Sequence, residues 1–85
     1  MITKFQKKVY QAVKKIPKGK VMTYKEVARV VNRPRAYRAV GNVLNKNTDP
    51  KIPCHRVIRA DGRVGGYRWG TRRKLKLLRR ERIRV

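Results

Sequence analysis

Apolar residues recur at helical spacing in the first part of the chain. Phe5, Val9, Ala12, Val13 and Ile16 follow one another at steps of three and four or less, as they do on the buried face of an amphipathic helix. Thr3 precedes Gln6 at the spacing of a capping box, in which each side chain satisfies the other's free backbone N–H. The pattern predicts a first helix over residues 3–15, ended by the turn Pro17-Lys18-Gly19. Val21 and Met22 form an apolar link, too brief for more than a scrap of strand. Thr23 and Glu26 repeat the capping box and open a second, short helix facing inward through Val27, Ala28 and Val31. Asn32-Arg33-Pro34 stops it. A third helix is expected to start near Pro34, because proline is tolerated in a first turn. Its buried stripe is Ala36, Ala39, Val40, Val43 and Leu44, with Arg35, Arg38 and Asn42 pointing elsewhere.

Downstream the pattern shortens. Asn45 to Asp49 reads as a polar loop closed by Pro50. Ile52 to Ile58 is an apolar run led by Pro53, predicting a short buried strand or extended segment. Asp61-Gly62 is a turn, and residues 63–67 make a glycine-rich loop bearing one aromatic, Tyr67. Thr71 is placed to cap a last helix in which Leu75, Leu77 and Leu78 face the core. Glu81 lies at its end, and residues 82–85 are expected to fray. Two short helices joined by a tight turn, the second basic, suggest a helix-turn-helix. The fold class expected is mainly α. It is a small helical bundle with a winged-helix-like helix-turn-helix, a short extended segment and a C-terminal helix. No repeat, linker or second domain is visible, so residues 1–85 read as one domain. Gly41 sits inside the third helix, where glycine costs about 1 kcal/mol against alanine. Either a packed helix or a DNA backbone approaches closely there.

Charge changes the picture more than any other bulk property. Twenty-six Lys and Arg oppose only Glu26, Asp49, Asp61 and Glu81, a formal +22. Such a chain repels itself unless it meets anions. A heat-adapted, ion-paired surface would carry abundant Glu beside its Lys, and this one does not. Nucleic acid is therefore the expected partner. A membrane surface fits less well, since no segment pairs a basic face with a broad apolar one. No apolar run approaches the roughly 20 residues that span a bilayer, and no signal-peptide core is present. The single cysteine excludes an intramolecular disulfide and a cysteine-rich zinc site. It suits a reducing compartment, and a cytoplasmic location is expected.

That cysteine, Cys54, is followed directly by the only histidine, His55. Cysteine and histidine are the residue types best suited to be nucleophile and base near neutral pH. Neighbours on an extended segment point to opposite faces, so a water relay between them is expected rather than contact. The bland alternative is a small buried hydrophobe. Glu81 either orients the His55 imidazole, completing a nucleophile–base–orienter set, or pairs with a surface arginine. Spacing alone leaves both open.

Pro53-Cys54-His55-Arg56-Val57 resembles the active-site signature of the O6-alkylguanine-DNA alkyltransferases. The motif Gly19-Lys20-Val21-Met22-Thr23-Tyr24 is similar to that family's lead into its helix-turn-helix. Arg38-Ala39-Val40-Gly41 resembles its recognition-helix motif, and Asn47 its hinge asparagine. Val64-Gly65-Gly66-Tyr67 is similar to the substrate loop, and Leu77-Leu78 with Glu81 to the final helix. The resemblance runs from about residue 3 to residue 81. It implies a DNA repair protein that flips O6-alkylguanine out of duplex DNA and transfers the alkyl group irreversibly to its own cysteine.

The roles implied are these. Cys54 accepts the alkyl group, His55 takes the thiol proton through water, and Glu81 holds the imidazole. Tyr24 helps rotate the nucleotide and hydrogen-bonds guanine N3, while Arg38 fills the space the base leaves. Ala39 and Gly41 let the helix approach the minor groove. Main-chain groups around Cys54 and Val57 read the guanine edge, Tyr67 lines the alkyl pocket, and Asn47 ties the recognition helix to the active-site segment. Arg68 and Trp69 depart from the small residues usual after Tyr67, and Arg68 either narrows the pocket or contacts phosphate. Longer members carry an N-terminal domain, sometimes zinc-bearing, which this chain is expected to lack. No metal or cofactor is called for, and a monomer acting on double-stranded DNA is implied. The rival readings are a non-catalytic, alkyltransferase-like lesion binder and a plain basic helix-turn-helix regulator.

Overall fold

The structure, a computed structural model, describes residues 2–84. In chain order it contains α1 (Lys4–Lys14), β1 (Met22–Thr23), α2 (Tyr24–Val30), α3 (Tyr37–Lys46), a 3-10 turn over Cys54–Arg56, β2 (Val57–Ile58) and α4 (Thr71–Arg80). Local sequence explains how α1 and α2 begin. Thr3 and Gln6 exchange hydrogen bonds of 3.1 and 2.8 Å, and Thr23 and Glu26 do the same at 3.1 and 3.0 Å. Both capping boxes form as the spacing predicts.

Helix α2 ends where Asn32 turns left-handed at φ 60°, a conformation its short polar side chain tolerates. The Arg33 N–H then reaches back to the Ala28 carbonyl and the Asn32 N–H to that of Arg29. This satisfies carbonyls that the helix end would leave open. Helix α3 begins at Tyr37, three residues after Pro34. A separate turn intervenes, closed by the Ala36 N–H on the Arg33 carbonyl at 2.8 Å. Pro34 belongs to that turn and not to the helix. At the other end α3 absorbs Asn45 and Lys46, which shortens the expected polar loop.

The core gathers Val9, Val13 and Ile16 from the first helical segment with Val27, Ala28 and Val31. Val40, Val43 and Leu44 of α3 join them, along with Cys54 and Val57. Ala36 and Ala39 are only half-buried. The stretch around Cys54 departs from the extended segment expected. The Arg56 N–H bonds the Pro53 carbonyl and the Val57 N–H bonds that of Cys54, so Cys54 sits in a tight turn and the strand starts only at Val57. A short apolar run carries no periodicity long enough to separate these outcomes.

Strands β1 and β2 pair in parallel, Met22 against Val57 and Thr23 against Ile58. That long-range ladder sets the start of α2 beside the Cys54 turn. Helix α4 is capped by Gly70 without a side-chain bond, so Thr71 is its first residue and not its cap. Leu78 is fully buried and Leu75 and Leu77 partly so, while the second fully buried residue of α4 is Lys74. The tail does not fray directly after Glu81. Arg82 turns left-handed at φ 62°, and the Ile83 N–H closes on the Leu78 carbonyl at 3.0 Å. Val85 lies outside the described residues. Among those residues no helix is long and apolar enough to cross a membrane.

Candidate active site

Asn47 ends α3 and is itself buried. Its Oδ1 accepts from the Asp49 N–H at 3.0 Å, which folds the chain back after the helix. That turn aims Nδ2 at the Asp49 carbonyl, 3.0 Å, and at the Cys54 Sγ, 3.1 Å. One side chain thus ties the end of α3 to the sulfur. Cys54 is 6% exposed. Burial pushes its thiol up, opposed by the Asn47 hydrogen bond and by the positive charge of Lys74. The net direction is upward, so at rest the group is a thiol and needs a base to become a nucleophile.

His55 and Glu81 meet directly, Nε2 to Oε2 at 2.7 Å. Glu81 also receives a fork from Arg56, Nε to Oε1 at 2.9 Å and Nη2 to Oε2 at 3.1 Å. The Gly19 N–H adds a bond of 3.2 Å to Oε1. Glu81 therefore contacts the histidine and an arginine at once. Arg56 completes the tie by donating Nη1 to the Ile16 carbonyl at 2.9 Å. Burial raises the Glu81 carboxyl, but the bonds from Arg56, His55 and Gly19 outweigh it and hold it at about 2.

Tyr24 stands at the opening residue of α2. Its hydroxyl donates to the Gly66 carbonyl at 3.3 Å and accepts from Lys74 Nζ at the same distance. Its ring lies under Gly65, whose φ of +78° favours glycine and whose surroundings are tight. A methyl there would meet the Tyr24 ring and hydroxyl at 3.1 Å. Tyr67 and Trp69 touch edge to face at 5.4 Å, and Trp69 remains exposed. Arg68 bonds the Asn45 carbonyl near the end of α3 through Nη1 at 3.2 Å. A cation is favourable at a helix C-terminus.

Arg38 and Gly41 line a cleft of about 830 Å³ with Tyr24, Asn45, Gly65 and Gly66. Cys54, His55, Asn47, Val57, Tyr67 and Arg68 do not line it. Tyr24 is the common element, its ring in the cleft and its hydroxyl in the bonded network behind. The Lys and Arg side chains with carboxylate partners among the described residues are Arg56, Arg59 and Arg63, so most of the positive charge is uncompensated. A methyl built on Gly41 would stand 3.8 Å from the Tyr24 ring, an ordinary contact. Internal packing therefore does not require the glycine. Gly41→Ala is expected to raise stability by about 1 kcal/mol while weakening duplex binding, measured by thermal melting and DNA titration. A lower melting temperature would show that packing demanded the glycine after all.

Two participants escape a reading of the sequence. Lys74 looks like any of the other basic residues, and Arg56 stands inside the Pro53–Val57 motif without a role assigned to it. Only the position of Lys74 one turn before Leu78 signals that it faces inward.

Residues 4–83 match the family described as 6-O-methylguanine DNA methyltransferase, DNA binding domain. The methylated-DNA–protein-cysteine methyltransferase of Methanosarcina barkeri is 50% identical over 80 residues, covering 93% of this chain and 51% of that protein. The chain spans about half or less of the length of the curated relatives it matches. Among solved structures, Mycobacterium tuberculosis OGT in complex with DNA superposes with a TM-score of 0.91 at 41% identity, over 96% of this chain and 51% of that one. S. pombe Atl1 in complex with damaged DNA containing O6-carboxymethylguanine superposes at 0.87 with 35% identity, over 100% of this chain and 82% of that one.

Proposed function

Because the chain belongs to the family of the 6-O-methylguanine DNA methyltransferase DNA-binding domain, we propose that it repairs O6-alkylguanine by moving the alkyl group onto Cys54. The observation that carries this reading is the pair of bonds Asn47–Cys54 and His55–Glu81 on adjacent residues of one turn. Uncompensated Lys and Arg supply sequence-independent affinity for phosphates. The lesion cannot be reached at O6 inside the stack, so the nucleotide is extruded, with α3 against the minor groove and Arg38 in the vacated space. Ala39 and Gly41 keep the helix backbone close to the DNA.

The chemistry is a displacement at the alkyl carbon. Glu81 holds Nε2 of His55 and leaves Nδ1 to take the thiol proton through a water. The sulfur forms its bond to the alkyl carbon as the bond from that carbon to O6 breaks, and the electron pair stays on the guanine. The Tyr24 hydroxyl exchanges the Gly66 carbonyl for guanine N3 and stabilises the charge that develops there. Main-chain groups near Cys54 and Val57 hold the guanine edge. Tyr67 lines the alkyl pocket, and Arg68 acts by fastening the loop to α3. A thioether is stable, so each molecule acts once. This function calls for a monomer acting on double-stranded DNA in a reducing compartment, with no metal or cofactor in the step at Cys54.

A second reading has its own support. A thiol that is buried and shifted upward also suits a lesion binder that performs no transfer, and Atl1 shares the fold. Intact mass after incubation with a duplex bearing O6-methylguanine separates the two. One methyl adduct mapping to Cys54, and absent from Cys54→Ser, is expected. Selective lesion binding without a mass change would leave the binder, and equal affinity for damaged and undamaged DNA without transfer would leave a regulator.

A further inference from the structure

The mechanism above leaves one buried titratable group without a task. Lys74 lies on the inward stripe of α4 one turn before Leu78, and both are 0% exposed. An apolar residue would extend that stripe, whereas a lysine gives up hydration and rotamer freedom. Its Nζ donates to the Val57 carbonyl at 2.6 Å, the Gly66 carbonyl at 3.0 Å and the Tyr24 hydroxyl at 3.3 Å. Three donors meeting three acceptors is the full complement of an ammonium. All three acceptors are neutral, and no carboxylate pairs with Lys74 among the described residues. A buried cation without an anion breaks the ordinary rule that buried charges are paired. Departures of that kind concentrate at functional sites.

We propose that Lys74 is a positioning residue whose unpaired charge stabilises the Cys54 thiolate formed when His55 takes the thiol proton. The proposal rests on Cys54 being the nucleophile. Its geometric basis is Val57, whose N–H closes the turn that presents Cys54 and whose carbonyl accepts from Lys74 on α4. The two groups also act on one another. Burial lowers Lys74 to about 8 and Cys54 opposes that shift, while Lys74 draws the thiol down against its own burial. The other groups facing the pair are Tyr24 from α2, Tyr10 from α1, Tyr67 from the glycine-rich loop, and Asp49 before the turn. Only Asp49 among these carries charge, and it opposes the thiolate. Lys74 stays charged below about pH 8, so its support is present at neutral pH and fades above.

The pH dependence of Cys54 labelling by iodoacetamide reads the thiol directly, whatever reaction the protein performs. Lys74→Gln keeps donors for the carbonyls but no charge, and Lys74→Met keeps neither. Both are expected to move the labelling profile to higher pH, so that labelling at neutral pH falls by on the order of tenfold, one unit of pKa. An unchanged profile, or a glutamine variant that labels like the parent, would overturn the proposal and reduce Lys74 to a bridge between carbonyls. Should the methionine variant fail to fold, the unsubstituted lysine gives a second test. By reciprocity, the Lys74 Nζ titration followed by NMR should move to lower pH in Cys54→Ser, and an identical titration would sink the idea. Failure to methylate Cys54 in the duplex assay would instead remove the functional reading and leave these titrations interpretable.

Discussion

Glu81→Gln is expected to slow alkyl transfer by on the order of a hundredfold, the scale of a lost proton-transfer partner. It should also cost the fold about 2 kcal/mol. The carboxylate receives His55, both ends of the Arg56 fork and the Gly19 N–H, and its side chain is 8% exposed. Glutamine offers one oxygen where two are used, so Arg56 loses half its fork. His55 then faces either an amide N–H or a weaker neutral acceptor. The pH dependence separates this role from simple packing. Burial raises the Glu81 carboxyl, yet the bonds from Arg56, His55 and Gly19 bring it to about 2 from an ordinary 4.5. A carboxylate depressed by folding stabilises above its unfolded value and loses that contribution as pH falls through its folded value. Parent and variant should therefore differ fully above pH 4.5 and converge towards pH 2. Urea unfolding across that range measures the difference, with DNA affinity at neutral pH as the control. Equal transfer rates would leave Glu81 a structural clamp for Arg56.

What could be read from the residues follows the range over which each interaction acts. Both capping boxes join residues three apart, so Thr3 with Gln6 and Thr23 with Glu26 announce their helices without help from the rest of the chain. Pro34 misleads because its compatibility with a first helical turn is also compatibility with an ordinary turn, and the Ala36–Arg33 bond decides between them. The Cys54 turn was hidden for another reason. Its shape is fixed by partners far away in sequence, with Met22 pairing to Val57 and Lys74 gripping the Val57 carbonyl. The residues matching the family's motifs fall into linked groups, Asn47 with Cys54 and His55 with Glu81. Arg56 and Lys74 complete those groups; the motif contains Arg56 without announcing its bond to Glu81, and Lys74 stays invisible in a chain with 26 basic residues. In such a composition, one lysine facing inward changes no bulk property.

Arg38→Ala should separate the delivery of the base from the chemistry performed on it. Arg38 is exposed on α3, lines the cleft with Tyr24 and Gly41, and has no carboxylate partner among the described residues. Nothing in the fold consumes its side chain, so its removal should leave the melting temperature nearly unchanged. Extruding a nucleotide costs a few kcal/mol of stacking and pairing, and a side chain entering the gap offsets part of that. Losing about 2–3 kcal/mol of this support corresponds to roughly a hundredfold slower repair in duplex DNA. Reaction with free O6-benzylguanine needs no extrusion and should continue at the parent rate. The contrast also guards against a charge effect. An exposed lysine on α1, such as Lys7, contributes at most phosphate attraction, so Lys7→Ala should weaken duplex binding in a salt-dependent way without a comparable loss at saturating DNA. Equal losses for Arg38→Ala on duplex and free base would mean that the arginine acts on the reacting site itself, and the extrusion role would have to be given up.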